Sequence, residues 1–302
     1  KFTLLITKYI KYWNFITGNL TSVNGGNDLG LKINEEDTDK YKELKRIQYR
    51  LKVLNVKQYI PLGLAFVSWS NQNNNNYEVL KDFLDTIELN SIVRSLKKIT
   101  PTGLETDYSD FAVSLSKNQK QPLDIINEIK DDTYSMLRVS GEKAQEINFE
   151  KYKEKLKDLI LNHLFVDNEK VAKCLVLKNY DSLTMRDDSK LELEHMAPQK
   201  NENIWSIQGK KEKYLHSIGN YTILNAFLNK SVSNGTILEK YDYPVTGYKD
   251  QQILHQDENE KIISIFSNNS DNIAQSHYDF IDWRKEFISK KIVEAYSEIL
   301  KK

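Results

Sequence analysis

The chain has 302 residues, 43 Lys+Arg against 43 Asp+Glu, a hydrophobic fraction of 39% and a charged fraction of 28%. That apolar content at zero net charge excludes an intrinsically disordered chain. It also excludes a strongly basic protein that holds nucleic acid by bulk charge alone, so any such binding must come from local patches.

Only five prolines occur, at 61, 101, 122, 198 and 244, so long stretches are open to helix. Residues 1–17 are expected to form a first helix, with Leu4, Leu5, Tyr9, Tyr12, Trp13 and Ile16 near 3.6-residue spacing. Residues 18–37, rich in Asn, Gly, Asp and Thr, read as a loop turned by Asn24-Gly25-Gly26. Helices follow over 38–60, 61–70 and 77–98, with the polar run Asn71–Asn76 as an exposed hinge. Shorter helices are expected over 107–115 and 123–129, then a polar, mobile stretch over 131–148, then helices over 150–164 and 169–177. No repeat of fixed period is present, which argues against a solenoid. The one histidine of this array, His163, lies near a helix end and reads as a capping or core residue.

The texture changes near residue 185. Leu191–His195 alternates with strand period, and Asn220–Leu224 reads as a second strand. Between them lies a polar loop with Trp205 and the basic cluster Lys210, Lys211 and Lys213. Asn225–Ser233 suits a short helix that Asn234-Gly235 ends. A helix over about 278–300 closes the chain. The expected fold is mainly α: a helical array over 1–184, then a helix-rich domain over 185–302 that contains a small ββα unit. Trp205, Trp283 and Cys174 are expected in the core, and His255 and His277 at the surface.

Cys174 is the single cysteine, which rules out an intrachain disulfide and a cysteine-rich zinc site and fits a reducing, cytoplasmic setting. No run of about 18 apolar residues is present, so no transmembrane helix is expected. The first residue is Lys1 and not Met, which reads as a fragment whose natural N-terminus is missing.

Polar residues of the small unit occur in a particular order: Glu194-His195-x-x-Pro198, then Gly219-Asn220, then Asn229. A phosphodiesterase can be built from these parts. A hard divalent cation, Mg²⁺ or Mn²⁺, needs oxygen ligands, which Glu194 and Asn229 can supply. His195 can take a proton from an attacking water, because its ordinary pKa lies near neutral pH. Neighbouring strand residues point to opposite faces, so Glu194 and His195 serve one site only if the strand end bends, which Pro198 suits. Asn220 could hold that bend through bonds to backbone and so orient His195.

At these residues the sequence resembles a known family. Glu194-His195-Met196-Ala197-Pro198-Gln199, Gly219–Leu224, and Asn229 with Ser233-Asn234 and Glu239-Lys240 look like three successive motifs of one HNH (His-Me finger) nuclease group. This is the C-terminal nuclease domain of GmrSD-type, modification-dependent restriction enzymes and their phage-defence relatives. The motifs span about 191–240. The resemblance implies His195 as general base, Glu194 and Asn229 as metal ligands and Asn220 as the orienting residue. Met196 and Tyr221 depart from the usual β-branched residue and leucine but stay apolar. In the family an N-terminal ParB-like domain with an Asp-Gly-Gln-Gln-Arg-type motif binds nucleotide; that motif is absent here, so this domain is expected to be the missing part.

The expected function is a metal-dependent DNA endonuclease acting on DNA, modified or phage-derived, with oligomerisation open and no membrane partner. Lys210, Lys211, Lys213, His216, Asn234 and Lys240 are candidate DNA contacts. For each the other reading is ordinary: a solvated charge, a packing residue or a helix end. Two alternatives stay open. One is a DNA-binding or assembly module with little activity without its sensor domain, zero net charge favouring weak DNA affinity for the piece alone. The other is a nuclease directed at RNA.

Overall fold

The computed structural model of the chain describes residues 2–17, 38–73, 77–138, 149–180, 191–202, 204–205, 209–226, 229, 234–244, 247–251, 253–268, 272–297 and 299–301. The expected 18–37 loop, residues 74–76 of the polar hinge, residues 139–148, and residues 227–228 and 230–233 of the short helix lie outside them. The described chain is mainly helical and divides into two units, Lys1–Tyr152 with Tyr296–Lys302, and Lys153–Ala295. No described helix is long and apolar enough to cross a membrane.

The first unit contains α1 (Phe2–Ile16), α2 (Thr38–Leu54), α3 (Ile60–Gln72), α4 (Tyr77–Leu96), α5 (Leu104–Ser116) and α6 (Pro122–Leu137). Three of these helices end by the same device. Asn55, Lys98 and Asn118 take left-handed φ values of 58°, 55° and 55°. The next N–H then reaches back to a carbonyl of the last turn: Val56 to Leu51 (3.4 Å), Ile99 to Arg94 (2.9 Å) and Gln119 to Ser114 (2.8 Å). This is why α2 stops at Leu54 and not near 60. The N-terminus of α6 is set by Pro122 in its first turn and a Gln121/Asp124 capping box.

The apolar stripes of these helices meet in one core, in which Phe66 and Phe83 stack at 4.0 Å. Gly63 lets α1 approach α3, since an added Cβ would lie 3.0 Å from the Ile16 side chain. The helix α4 is buried on every side from Phe83 to Val93, so its polar residues must find partners inside. Glu88 accepts a forked pair of bonds from Arg50 (2.7 and 3.0 Å) and a third from the Tyr296 hydroxyl (2.6 Å). Asn90 donates to Asp132 (2.8 Å) and Thr133 (3.0 Å).

The second unit holds the rest of α7 (Phe149–Asn162), α8 (Glu169–Asn179), β1 (Leu191–His195), α9 (Lys211–Leu215), β2 (Tyr221–Asn225), α10 (Ile237–Tyr241), α11 (Tyr248–Gln251), α12 (Gln256–Asn268) and α13 (Ile273–Ala295). The strands β1 and β2 pair antiparallel, Leu191 opposite Asn225 and His195 opposite Tyr221. Helix α8 packs on both strands with Val171, Cys174 and Leu175 buried, and α13 packs on α8, α12 and the short 3₁₀ turn Ile218–Asn220 that leads into β2.

Five expectations need correction. Asp131–Leu137 is not a mobile stretch but the last part of α6, where Thr133, Tyr134 and Leu137 continue its buried stripe. The closing helix starts at Ile273, five residues early, and ends at Ala295; Tyr296 and Leu300 are buried beyond its end. His277 is fully buried and not at the surface, and Trp283 is only half-buried. Helix α12 was not expected, because its first turn, Gln256–Asn259, is entirely polar.

The Arg50–Glu88 pair gives a direct test of the first unit. Replacing Arg50 with Met strands a buried carboxylate, which should cost about 3–5 kcal/mol in denaturant unfolding. Lys120→Ala at the exposed Lys120–Glu128 pair should cost under about 1 kcal/mol. Equal losses would contradict this account.

Candidate active site

The alternation of β1 puts Glu192 and Glu194 on one face and Leu193 and His195 on the other. The chain bends directly after His195, and Asn220 holds the bend. The Asn220 side-chain oxygen accepts the Ala197 N–H (2.7 Å), and its nitrogen donates to the carbonyls of Ala197 (3.2 Å) and Leu215 (3.1 Å). Its backbone carbonyl accepts the Met196 N–H (2.8 Å), and its N–H donates to Ser217 (2.9 Å). Asn220 is fully buried, and every polar atom it has is used. The Trp205 indole N–H adds a bond to the Pro198 carbonyl (2.9 Å).

The turn that carries Asn220 is pressed onto α13. A Cβ at Gly219 would lie 2.2 Å from the Ile281 carbonyl oxygen, so only glycine permits the approach. Behind it Arg284 of α13, with no exposed surface, donates to the carbonyls on either side of Asn220, Gly219 (2.9 Å) and Tyr221 (2.6 Å). The same guanidinium binds Glu258 (2.6 Å) and the Tyr180 hydroxyl (2.7 Å), and Glu258 also accepts from the His255 N–H (2.9 Å).

The His195 ring packs against Tyr221 (4.7 Å between centroids) and lies 5.9 Å from the His216 ring. His216 Nδ1 is 3.2 Å from the Tyr221 hydroxyl. His195 Nε2 is buried and has no hydrogen-bond partner among the described residues. Burial first, then the neighbouring charges of His216 and Lys240, push the His195 pKa down to about 4. The imidazole is therefore neutral at pH 7, with a ring nitrogen free to take a proton.

On the opposite face Glu194 forms an ion pair with Lys240 of α10, whose ammonium also donates to the His195 carbonyl (2.7 Å). Burial works against both charges: it pushes the Glu194 carboxyl up and the Lys240 ammonium down, and each partner opposes the other's shift. Asn229 donates from its side chain to Glu192 (3.0 Å), two residues before Glu194 on the same face. The structure thus gathers His195, His216, Asn220, Glu194 and Lys240 in one bonded neighbourhood, while Asn229 meets Glu192 and not Glu194.

The remaining candidates stand differently. Lys210 and Lys213 are exposed, lying over the rings of Tyr278 (5.6 Å) and Tyr214 (5.7 Å), and half-buried Lys211 pairs with Glu202 (3.0 Å). Asn234 is an exposed turn residue. The Lys240 side chain has no exposed surface, so its charge is spent inside the unit.

No group of three His, Cys, Asp or Glu side chains capable of holding a metal occurs among the described residues. The donors on the Glu face are nevertheless all oxygens of the kind a hard cation takes: two carboxylates and the Asn229 amide oxygen, which its bond to Glu192 leaves uncommitted. These residues fit a loosely held Mg²⁺ or Mn²⁺ and do not fit a zinc cage. Glu192 was missed in the sequence, although its place two residues from Glu194 in an alternating strand was a usable signal. Arg284 and Glu258 were missed because they lie far along the chain from any motif.

The candidates Glu194 and His195 sit on a small histidine-bearing ββ unit inside a helical body. Residues 143–294 match the family described as GmrSD restriction endonucleases, C-terminal domain, and the chain belongs to that family. No curated protein and no solved structure matches the chain.

His277 supplies a pH test of this unit. Its Nε2 accepts the Ile237 N–H (3.2 Å) at the start of α10, Nδ1 faces the Ile273 carbonyl (2.6 Å), and burial pushes its pKa down to about 4. The unfolded chain, with a histidine pKa near 6.5, takes up the proton first. Stability is therefore full above about pH 6.5 and falls toward pH 4, by up to about 3 kcal/mol for this one group. Denaturant midpoints at pH 7.5, 5.5 and 4.5 should show that fall, and His277→Gln should flatten it. An unchanged slope in the variant would contradict the assignment.

Proposed function

We propose that the chain is a metal-dependent DNA endonuclease, with its chemistry in the unit that carries His195. The observation that carries this reading is the unpartnered, buried Nε2 of a neutral His195 at the end of β1, beside a bend that Asn220 fixes. His195 receives a proton at Nε2 from the water that attacks a phosphodiester phosphorus, and the sugar oxygen leaves. Asn220 orients His195 by fixing the backbone on its C-terminal side. Tyr221 packs the ring and holds His216, and His216 is the residue we assign to a phosphate oxygen.

Glu194 and Asn229, with Glu192 beside them, would hold a divalent cation, Mg²⁺ or Mn²⁺. Bound there, it supplies charge stabilisation at the phosphate and the leaving oxygen. DNA is the substrate the family suggests. The exposed Lys210 and Lys213, with Lys211 and Asn234, are the proposed backbone contacts. Zero net charge means that these local groups, and not the field of the whole chain, must provide the grip. Recognition of modified DNA belongs with a sensor domain of the ParB-like kind.

The test is plasmid cleavage in Mg²⁺ or Mn²⁺ by the parent chain and by His195→Ala. Losing a general base should lower the rate about 10²–10⁴-fold, with circular dichroism and melting unchanged. A variant that cuts as fast as the parent would overturn the assignment.

A further inference from the structure

Lys240 was expected to meet DNA phosphate, and the structure gives it other work. It projects from α10, whose start is fastened three ways. Thr236 Oγ1 accepts the Glu239 N–H (3.2 Å), Glu239 accepts the Thr236 N–H (2.7 Å), and the Ile237 N–H donates to His277 (3.2 Å). From this fixed base the Lys240 ammonium lies without exposed surface against the Glu194 carboxylate and the His195 carbonyl (2.7 Å). It cannot swing into solvent without leaving a buried carboxylate uncompensated, which is costly. Glu194 is therefore neutralised by a cation of the protein itself before any metal arrives.

That changes what a divalent cation meets. Hard cations are held in proportion to the negative charge of their ligands. Here Glu194 and Lys240 cancel, Asn229 is neutral, and the exposed Glu192, which accepts from Asn229, itself lies within the electrostatic reach of Lys173. A DNA phosphodiester entering the site brings the missing negative charge.

We propose that Lys240 makes metal loading depend on DNA: its buried ammonium keeps the resting site weak for a divalent cation, and the substrate phosphate completes the site. By linkage the cation tightens DNA binding by the same factor. The inference rests on the reading of Glu194 and Asn229 as the metal position.

The experiment measures Mn²⁺ binding by calorimetry or by the free-Mn²⁺ electron spin resonance signal, with and without a short DNA duplex, in a His195→Ala background that prevents cutting. With Lys240 in place, the duplex should tighten Mn²⁺ binding about 10-fold or more. Lys240→Met should bind Mn²⁺ about 10-fold tighter than that parent without duplex and gain less from it, and Lys240→Arg should behave as the parent. The inference is overturned if the duplex leaves Mn²⁺ affinity of the Lys240 form unchanged, a result that needs no Lys240 variant to fold. It is also overturned if Lys240→Met binds no tighter than its parent. Glu194→Gln separates the two levels. If it loses Mn²⁺ while either of those results holds, the site stands and the role of Lys240 falls. If Mn²⁺ binding ignores Glu194, both fall.

Discussion

The hydrogen bonds of one buried amide hold this site together. Asn220 spends its side-chain oxygen on the Ala197 N–H and its side-chain nitrogen on two carbonyls, and its own backbone ties Met196. Nothing on that residue is left to satisfy elsewhere, so any movement of the bend after His195 strands a buried polar group. A carboxylate or an alkyl group there would lose the donors or all of the bonds. The position of His195, the exit of the chain at Pro198 and the approach of Gly219 to α13 all depend on this fixed point.

A second layer stands behind it. Arg284, Glu258 and Tyr180 form a buried Arg–Glu–Tyr group that grips the carbonyls flanking Asn220. The first unit contains a group of the same composition, Arg50, Glu88 and Tyr296, which anchors the central helix α4. In each case a guanidinium and a carboxylate neutralise one another, and a tyrosine hydroxyl takes up remaining bonding capacity. Such groups contribute little net stability against an apolar replacement, but they punish any partial substitution. They fix geometry more than they add free energy.

Much of this could be read in the sequence, and the gaps have physical causes. Helices with a clean apolar stripe were legible, as over Ile125–Ile129. The strand pair was legible from the period of Leu191–His195 and the residues Tyr221–Leu224. Helix ends were less so, since a left-handed Lys98 carries no sequence mark of the kind that Asn55 and Asn118 do. Within the site, the local order Glu194-His195, Gly219-Asn220 gave the motif, and the structure shows why Asn220 matters to it. Side-chain partners drawn from distant helices could not be read. Lys240 read as a DNA contact or a solvated charge because nothing in the sequence marks it as the partner of Glu194, 46 residues earlier. His277 looked exposed because it stands in a polar stretch, yet it caps α10 from α13.

The central claim is that a divalent cation sits at Glu194 and Asn229, one residue along β1 from His195. The five histidines of the chain provide five reporters. Side-chain NMR during a Mn²⁺ titration in the presence of DNA reads their paramagnetic broadening directly. The His195 and His216 rings, 5.9 Å apart, should broaden first and at the lowest Mn²⁺ concentration. Earlier broadening of His163, His255 or His277, or equal broadening of all five, would contradict that claim.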